Sequence, residues 1–366
     1  MSKRVAVLPG DFIGPEVIGS TLAVLETLEQ THGVSLEYET LPFGGSAIES
    51  HGEAFPAVTR DAVLRSDAVL MGSVGGPVGD HPWNRLPREK RVETGILALR
   101  RHLQVFANLR PVKVFPGLER LSPLRSEQAE GTDMIIFREL TGGIYFGKPS
   151  FAEKDRGLST MVYDRYEVER IARLAFETAR QRSGRVTNVD KANVLDVSQF
   201  WRDVVVELHA SEYSDVELNH LYIDNAAMQV VRDPKAFDVL VMGNIFGDIL
   251  SDLAAVIPGS LGLLPSASLG GTVGLYEPVH GSAPDIAGKG VANPVGTMLS
   301  AAMMLRHSLE QPAAAAALEA AVQGALAADP TTDLGGSRTT DAFTRAVSEE
   351  LLRNSEKLSG VAVALG

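Results

Sequence analysis

The feature that most constrains the fold is a regular alternation between short apolar runs and longer amphipathic stretches. Runs such as Arg4–Leu8 and Ala68–Met71 predict strands, and the stretch Glu16–Gln30 between them predicts a helix. Strands that alternate with helices at this spacing form parallel βα units, because a parallel neighbour needs a crossover connection. The pattern therefore predicts an α/β protein with mostly parallel sheets flanked by helices.

The alternation continues through the middle of the chain. Further predicted strands are Ser35–Leu41, Val105–Leu109, Met134–Phe137, Arg185–Val189, Val216–Ile223 and Phe237–Met242. Further predicted helices are Pro56–Arg65, Arg91–His102, Tyr166–Arg182, Ser198–Ala210 and Asn225–Val231. Residues 257–293 are rich in Gly, Pro and Ser and predict mostly loop, with helices after them. The stretch TGGIYFGKP (141–149) predicts a β-hairpin excursion, with Met161–Tyr163 as its returning strand.

Composition narrows the class of protein and of partner. A length of 366 residues suits about two domains, and the absence of cysteine excludes disulfides and thiolate metal sites. The net charge of −12, with no basic tract, disfavours a nucleic-acid partner. We find neither a signal peptide nor an apolar stretch near the roughly 20 residues that span a bilayer, so we expect a cytoplasmic protein that does not interact with membranes.

The stretch GNIFGDILSD (243–252) holds two carboxylates, Asp248 and Asp252, four positions apart. On a helix from Phe246 onward they project from one face about 40° apart, and they repel each other. We therefore expect a cation over them, and oxygen ligands suit Mg²⁺ or Mn²⁺. Taken alone, the pair is weak evidence and more often marks a solvated acidic helix face. Three apolar residues are expected to face a core: Ile249, Leu250 and Leu253.

Charged residues collect where predicted strands end. Arg110, Arg138, Lys191 and Asp224 each follow directly on such a strand, and ligands of parallel α/β sheets bind at that edge. With Arg100, three arginines suit a substrate that carries more than one carboxylate, because a guanidinium fork matches a carboxylate bidentately. Individually, each arginine also fits a surface ion pair, and Lys191 a solvated lysine.

We predict a nucleotide-binding site, although the usual glycine-rich nucleotide-binding motifs are absent from the sequence. The sequence has neither G-x-G-x-x-G nor a Walker motif. Residues 276–294 supply backbone amides and His280 for phosphates and Asp285 for a ribose diol, which favours NAD over NADP because a carboxylate repels a 2′-phosphate. The candidate coenzyme contacts are Gly75, Gly76, His280, Gly281, Ser282, Ala283, Pro284, Asp285, Ile286 and Asn293.

Seven stretches, in order, resemble the metal-dependent β-decarboxylating dehydrogenases, the family of isocitrate and isopropylmalate dehydrogenases. They are GDFIGPEV, ETGILALRR, FANLRPVK, RELTGGIYFG, VDKANVLD, GNIFGDILSD and VHGSAPDIAGKGVANP, spanning about Val5 to Leu334. RELTGGIYFG is typical of the isopropylmalate branch, whereas malate, tartrate and homoisocitrate relatives tend to read RENTEG. Glu93, Ile96 and Leu97 stand where isocitrate enzymes carry a serine for a third carboxylate.

The resemblance implies a two-domain isopropylmalate dehydrogenase-like fold. The first domain, discontinuous, comprises residues 1–104 and 258–366 and holds the coenzyme. The second, residues 105–257, holds substrate, metal and the dimer interface. The TGGIYFG excursion would be a β-arm that pairs with a second subunit. The active sites of this homodimer would be shared, with Lys191 and Asp224 reaching in from the partner.

The resemblance also implies residue roles. Asp248 and Asp252 would coordinate Mg²⁺ or Mn²⁺ together with Asp224, which also lies against the substrate. Lys191 would help take the hydroxyl proton, and Tyr145 would protonate carbon after CO₂ leaves. The dicarboxylate substrate would lie against Arg100, Arg110, Arg138 and Glu93, with Ile96, Leu97 and Val194 as apolar walls.

The implied reaction is the NAD-dependent oxidative decarboxylation of 3-isopropylmalate to 4-methyl-2-oxopentanoate. The alternative within the family is a dehydrogenase for a related 2-hydroxy diacid of the D-malate or tartrate type. A non-catalytic subunit with the same fold is disfavoured, because such a chain should lack metal or acid–base residues that are present here. One departure is Phe12, where the first motif usually has glycine; a positive φ there would strain it.

Overall fold

The computed structural model describes residues 2–77, 79 and 81–364, without the side chains of residues 88 and 357–364. The chain divides into two compact units. Unit 1 comprises Met1–Val105 and Ser260–Gly366, and unit 2 comprises Phe106–Gly259.

Unit 1 begins with three parallel strands and four helices. They are β1 (Lys3–Gly10), α1 (Gly14–His32), β2 (Leu36–Thr40), α2 (Gly45–His51), α3 (Ala57–Val63), β3 (Ala68–Ser73) and α4 (Val92–His102). Pro15 lies in the first turn of α1, and Gly33 ends that helix with φ 67° and donates its N–H to the Glu29 carbonyl. β3 is buried along its whole length, as expected for a strand covered on both faces.

Unit 2 follows the same alternation. Its elements are β4 (Ala107–Lys113), α5 (Ser126–Ala129), β5 (Asp133–Glu139), β6 (Ser150–Ala152), β7 (Gly157–Ser159), α6 (Arg165–Arg180), β8 (Arg185–Asp190), α7 (Asp196–Glu212), β9 (Glu217–Tyr222), α8 (Ile223–Arg232), β10 (Val239–Met242) and α9 (Asn244–Ala255). Asp164 and Glu167 form a reciprocal capping box that fixes the start of α6. The unit has its own apolar core, which includes Ile136, Leu240 and Leu250.

The chain then completes unit 1 with β11 (Pro265–Leu269), β12 (Gly274–Pro278), α10 (Val295–His307), α11 (Pro312–Ala328) and α12 (Thr340–Ala364). Within unit 1 the strand order is β2-β1-β3-β12-β11, and within unit 2 it is β4-β5-β10-β8-β9. Within each of these two strand orders one pairing is antiparallel, β11 with β12 and β4 with β5, and the others are parallel. The predicted α/β class with mostly parallel strands is confirmed.

One predicted loop region also contains strands that the sequence did not predict. Residues 257–293 are mostly loop, as predicted, but they include β11 and β12. The serines that suggested loop are buried: Ser266 Oγ donates to the Glu277 carbonyl, and its own N–H donates to Ser300 Oγ of α10. Small polar side chains thus pair locally and let α10 pack closely on these strands.

The predicted hairpin is also displaced. The residues Gly143–Tyr145 form a single 3₁₀ turn, and the two short antiparallel strands are β6 and β7, pairing Ser150 with Ser159. Met161–Tyr163 is not a strand. Within the described residues, no helix is long and apolar enough to cross a bilayer.

Candidate functional site

Helix α9 presents two carboxylates on its accessible side, one turn apart. It begins at Asn244, two residues before the predicted start, and Leu250 is fully buried. Ile249, predicted to face the core, is instead 59% exposed. It lies only about 80° from the midpoint of the aspartate pair, whereas Leu250 lies about 180° from it. Asp248 and Asp252 therefore share their side of α9 with an exposed apolar residue.

Cations do lie over the two aspartates, and they are guanidinium groups. Arg138 Nη1 pairs with Asp248 Oδ1, and Arg110 Nη1 pairs with Asp252 Oδ1 at 2.7 Å. Arg110 also donates to Asn108 Oδ1 and Ser251 Oγ, each at 2.8 Å. Both arginines are largely buried while Asp252 is exposed, so the carboxylates remain accessible and the arginines are held in place.

The positions of these arginines differ from the prediction. Arg110 lies in the middle of β4 and Arg138 near the end of β5, rather than directly after strands. The two strands are antiparallel, with Arg110 opposite Ile136 and Arg138 opposite Asn108. The strand-end argument therefore applies to Lys191, which does follow β8, but not to the arginines.

Tyr145 belongs to the same cluster. Its hydroxyl donates to Asp248 Oδ2 at 2.7 Å, and the Arg138 guanidinium lies 5.8 Å from its ring centre. Burial, followed by the bond to Asp248, raises the pKa of the Tyr145 phenol above its usual range. The phenol therefore holds its proton at any ordinary pH, as a proton donor must.

Sequence reasoning missed Asn244, which organises this cluster. Its buried Oδ1 accepts from Arg138 Nε at 3.1 Å and from Arg138 Nη2 at 2.9 Å. Its Nδ2 donates to the Gly142 carbonyl, and its backbone N–H donates to the Tyr163 hydroxyl at 2.7 Å. One amide thus connects the arginine on β5 to the glycine turn before Tyr145. The only signal in the sequence was a polar residue opening a helix otherwise rich in apolar residues.

A second pair in unit 2 joins Lys191 to Asp224. Lys191 Nζ donates to Asp224 Oδ1 at 2.6 Å, and this bond holds the pKa of Asp224 below its usual range. Asp224 lies in the first turn of α8. Beneath them the buried Asp190 accepts from Arg202 Nε and Nη2 at 2.8 and 2.7 Å, and from the Ala192 N–H at 2.9 Å. That network fixes the backbone from which Lys191 projects.

The predicted three-aspartate metal site is not assembled within one chain. Among the described residues, no group of three or more His, Cys, Asp or Glu side chains could hold a metal ion. Asp248 and Asp252 provide two oxygen ligands one turn apart, and Asp224 is bonded to Lys191 instead. The donor set fits a hard divalent cation, but it needs a further ligand.

Helix α4 in unit 1 carries the remaining predicted substrate contacts. Arg100 pairs with Glu277 of β12 at 3.0 Å, and its buried Nε has no partner among the described residues. The other predicted contacts are accessible: Leu97 is 41% exposed, and Glu93 is exposed. Val194 of unit 2, a predicted apolar wall, is 68% exposed. These side chains are free to meet a ligand.

The two predicted coenzyme stretches meet within unit 1. Ser282 Oγ donates to the Gly75 carbonyl at 2.9 Å, and the Gly75 N–H donates to Asp11 Oδ2 at 2.9 Å. Ala283 follows with φ 40°, and Pro284–Ile286 forms a short 3₁₀ turn that bears the exposed Asp285. Gly281 is exposed, and a Cβ added to Gly75 or Gly281 would meet no described atom within 4 Å. These loops leave room for a ligand beside their backbone amides.

His280 and Asn293 differ in whether their side chains have polar atoms left to contact a ligand. His280 Nδ1 lies 3.0 Å from the Gly281 carbonyl, but its buried Nε2 has no hydrogen-bond partner among the described residues. Burial lowers the pKa of this imidazole, so it is neutral at pH 7. Asn293, by contrast, accepts from the Val295 N–H and donates to Asp333 Oδ2 at 3.1 Å, which makes it a brace for the start of α10.

Phe12 has the positive φ that its position in the motif suggested. Its φ is 52°, a region that costs a non-glycine residue roughly 1 kcal/mol or more. Its ring lies 5.7 Å from the buried Trp83 ring. Aromatic packing therefore offsets backbone strain in the β1–α1 turn.

Comparisons of the sequence and the fold with known proteins identify one family. The family model described as "Isocitrate/isopropylmalate dehydrogenase" matches residues 4–351. A protein named 3-isopropylmalate dehydrogenase from Deinococcus radiodurans is 55% identical over 95% of this chain and 97% of its own. The crystal structure of an isocitrate dehydrogenase from Methylococcus capsulatus has a TM-score of 0.82 at 35% identity, over 96% of this chain and 99% of its own.

A β-decarboxylating dehydrogenase from Thermococcus kodakarensis, solved in its apo form, has a TM-score of 0.79 at 38% identity and covers 96% of this chain and 97% of its own. The similarity therefore extends over both units and all seven motifs. The chain belongs to the isocitrate/isopropylmalate dehydrogenase family.

Proposed function

We propose that this protein oxidises (2R,3S)-3-isopropylmalate with NAD and decarboxylates the product to 4-methyl-2-oxopentanoate and CO₂, a step of leucine biosynthesis. The observation that carries the proposal is the cluster in which Arg138 and Tyr145 both contact Asp248. In this cluster a guanidinium that can bind a carboxylate and a phenol that can donate a proton both contact Asp248, whose carboxylate can bind a metal ion. The name of the Deinococcus radiodurans relative supports the choice of substrate.

Different residues of the chain bind the substrate and transfer its protons. Arg110 and Arg138 exchange their aspartate partners for the two substrate carboxylates. Lys191, released from Asp224 and having given up its own proton to solvent, accepts the hydroxyl proton as a neutral amine, and Tyr145 delivers a proton to the carbon that has lost CO₂. When bound, a divalent cation supplies Lewis acidity and NAD supplies the hydride acceptor.

The residues present fit both groups. Mg²⁺ or Mn²⁺ would be held by Asp248 and Asp252 with an Asp224 carboxylate. NAD would lie along the Gly75 and His280–Ile286 stretches, where open backbone amides are donors for phosphates. The unpartnered His280 Nε2 is an acceptor in the neutral imidazole and would donate to a phosphate once it is protonated. We assign the coenzyme and the α4 substrate contacts to unit 1, and the metal and the substrate-binding Arg110 and Arg138 to unit 2.

We also propose a homodimer with shared active sites. Unit 2 exposes apolar side chains on α8 and α9: Met228 is 62% exposed, Ile249 59% and Val231 39%. An exposed apolar face of this kind marks an interface, and Asp224 from a second chain would complete the metal ligands. The β6–β7 arm would pair with the partner as well. We place the protein in the cytoplasm.

The substrate assignment is tested by comparing kcat/KM for 3-isopropylmalate, D-malate, tartrate and isocitrate with NAD and Mn²⁺. We expect 3-isopropylmalate to lead, because the exposed apolar Leu97 and Val194 offer no partner to a further carboxylate. Preferential turnover of D-malate or tartrate would establish the alternative specificity.

Shared sites are tested by mixing Lys191→Ala and Asp252→Asn after dissociation and reassociation, at a limiting Mn²⁺ concentration at which neither variant alone is active. If each site takes Lys191 and Asp252 from different chains, every mixed dimer regains one intact site. Random pairing then restores about a quarter of the wild-type activity. No recovery, in a mixture shown by mass spectrometry to contain mixed dimers, would overturn the shared site.

A further inference from the structure

Unit 1 contains a cavity on a different side of α4 from the predicted substrate contacts. Its volume is about 650 Å³, within the range of small-molecule sites. We propose that this "α4 cavity" binds a small organic anion with two or more negative charges and an apolar body. We further propose that its occupancy changes substrate affinity; only this second part depends on the proposed function.

The charge of the lining supports an anionic ligand. Four cationic residues line the cavity, against two carboxylates: Arg60, Lys90, Arg91 and Arg101, against Glu53 and Glu89. The chain as a whole carries a net charge of −12, so a local excess of positive charge is unusual for this surface. A concave site with a net excess of one sign of charge concentrates ligands of the opposite sign.

Two of the guanidinium groups are fixed before any ligand arrives. Arg60 Nη1 donates to the Phe55 carbonyl and pairs with Glu53 Oε2 at 3.0 Å. Arg91 Nε donates to the Leu86 carbonyl at 3.0 Å, which orients the rest of its fork. A donor that is already oriented loses less conformational entropy on binding than a free side chain.

The floor of the cavity is apolar and small. Ala54 and Phe55 are 5% exposed, and Gly95 leaves so little space that an added Cβ would lie 2.7 Å from the Cβ of Ala54. The His102 ring packs edge-on against Phe55 at 5.6 Å, and its Nε2 donates to the Arg60 carbonyl at 3.0 Å. A cationic rim over an aromatic floor favours an organic anion over a bare inorganic ion.

Helix α4 connects the cavity to the predicted substrate contacts. Thr94, Ala98 and Arg101 line the cavity at helical spacing, while Glu93, Leu97 and Arg100 form the neighbouring face about 100° away. A ligand that shifts or stiffens α4 therefore changes the position of residues assigned to the substrate.

Binding is tested calorimetrically with phenyl phosphate as the probe and inorganic phosphate as the comparison. Ionic strength is held constant, metal is chelated and NAD is saturating, so that the coenzyme site is filled. We expect saturable binding of phenyl phosphate, weaker binding of inorganic phosphate, and at least a roughly fivefold loss of affinity in Lys90→Glu and in Arg101→Glu. The matched control is Arg65→Glu, an exposed residue of unit 1 outside the lining, which should keep wild-type affinity.

Absence of saturable binding, or equal losses in Arg65→Glu and the lining variants, would overturn the proposal. Should a charge-reversal variant fail to fold, as judged by circular dichroism, Lys90→Gln and Arg101→Gln provide the same comparison.

The coupling between the α4 cavity and the substrate site is tested separately. Phenyl phosphate should change the KM for 3-isopropylmalate in the wild type but not in Lys90→Glu. An unchanged KM overturns the coupling, and failure to turn over 3-isopropylmalate refutes the proposed function while the calorimetry still decides the site.

Discussion

The α9 cluster of unit 2 and the coenzyme stretches of unit 1 satisfy their polar groups in opposite ways. In unit 2, Asp248, Asp252 and Asp224 each bond to a cationic side chain. In unit 1, the buried His280 Nε2 has no partner among the described residues, and Asp285 is exposed. The difference teaches that a ligand of unit 2 must replace existing ion pairs, whereas a ligand of unit 1 meets polar groups that no side chain occupies.

The largest expected effect is on turnover, which depends on unit 2, and it should leave coenzyme binding in unit 1 unchanged. Lys191→Ala removes the proposed base and should lower kcat by about 10²- to 10⁴-fold, while NAD affinity, a property of unit 1, stays at the wild-type value. Stopped-flow turnover and fluorescence titration with NAD measure the two quantities. Lys235→Ala, a surface lysine of unit 2 that bonds to the Glu127 carbonyl, is the matched control. Near-normal turnover of Lys191→Ala would remove this residue from the mechanism.

The next effect concerns the aspartates themselves. Asp252→Asn removes a charged ligand and should raise the Mn²⁺ dissociation constant by on the order of tenfold or more, since even outer partners of a metal contribute that much. Excess Mn²⁺ should partly restore activity. Asp203→Asn, on α7, changes the same atoms outside the cluster and should leave metal affinity unchanged. Unaltered metal dependence in Asp252→Asn would contradict its role as a ligand.

Asn244 tests whether the ion pairs of unit 2 depend on a buried amide. Asn244→Ala leaves Arg138 Nε and Nη2 without their acceptor and should lower the free energy of unfolding by about 1–3 kcal/mol. Because Arg138 is also displaced, the KM for substrate should rise. Asn244→Asp keeps the acceptor, so substrate KM should recover toward the wild type. Equal KM values in Asn244→Ala and the wild type would show that Arg138 is held without this residue.

His280 gives the smallest expected effect and tests the coenzyme stretches of unit 1. Its pKa is lowered by burial, so between that value and about 6.5 the unfolded chain binds more protons than the folded one. Its contribution therefore makes the protein less stable as pH falls below about 6.5, and stability returns as pH rises. In His280→Gln this part of the pH dependence should disappear from urea unfolding curves, and the KM for NAD should rise. An unchanged pH profile would show that His280 titrates normally.

Local patterns in the sequence were sufficient to predict most of the alternating strands and helices of both units. Helices α1 and α9, and strands β3 and β8, follow from apolar periodicity and from Gly and Pro at their ends. Helix α2 was missed because its cap is remote: Asp11 accepts from the Gly45 and Ser46 N–H groups at 2.9 and 2.8 Å, from 34 and 35 residues away. No local rule detects such a cap. β11 was missed because its serines find partners only in the folded sheet.

By itself the sequence determined the class of fold, the family and the identity of the chemical groups, because those depend on residue types and their spacing along the chain. Only the tertiary structure decided which groups contact each other. It placed Arg138 and Tyr145 on Asp248, joined Lys191 to Asp224 and surrounded the α4 cavity with cationic side chains. The physical reason is that hydrogen bonds and ion pairs act over a few ångströms in space, whereas Arg138 and Asp248 lie 110 residues apart in the chain.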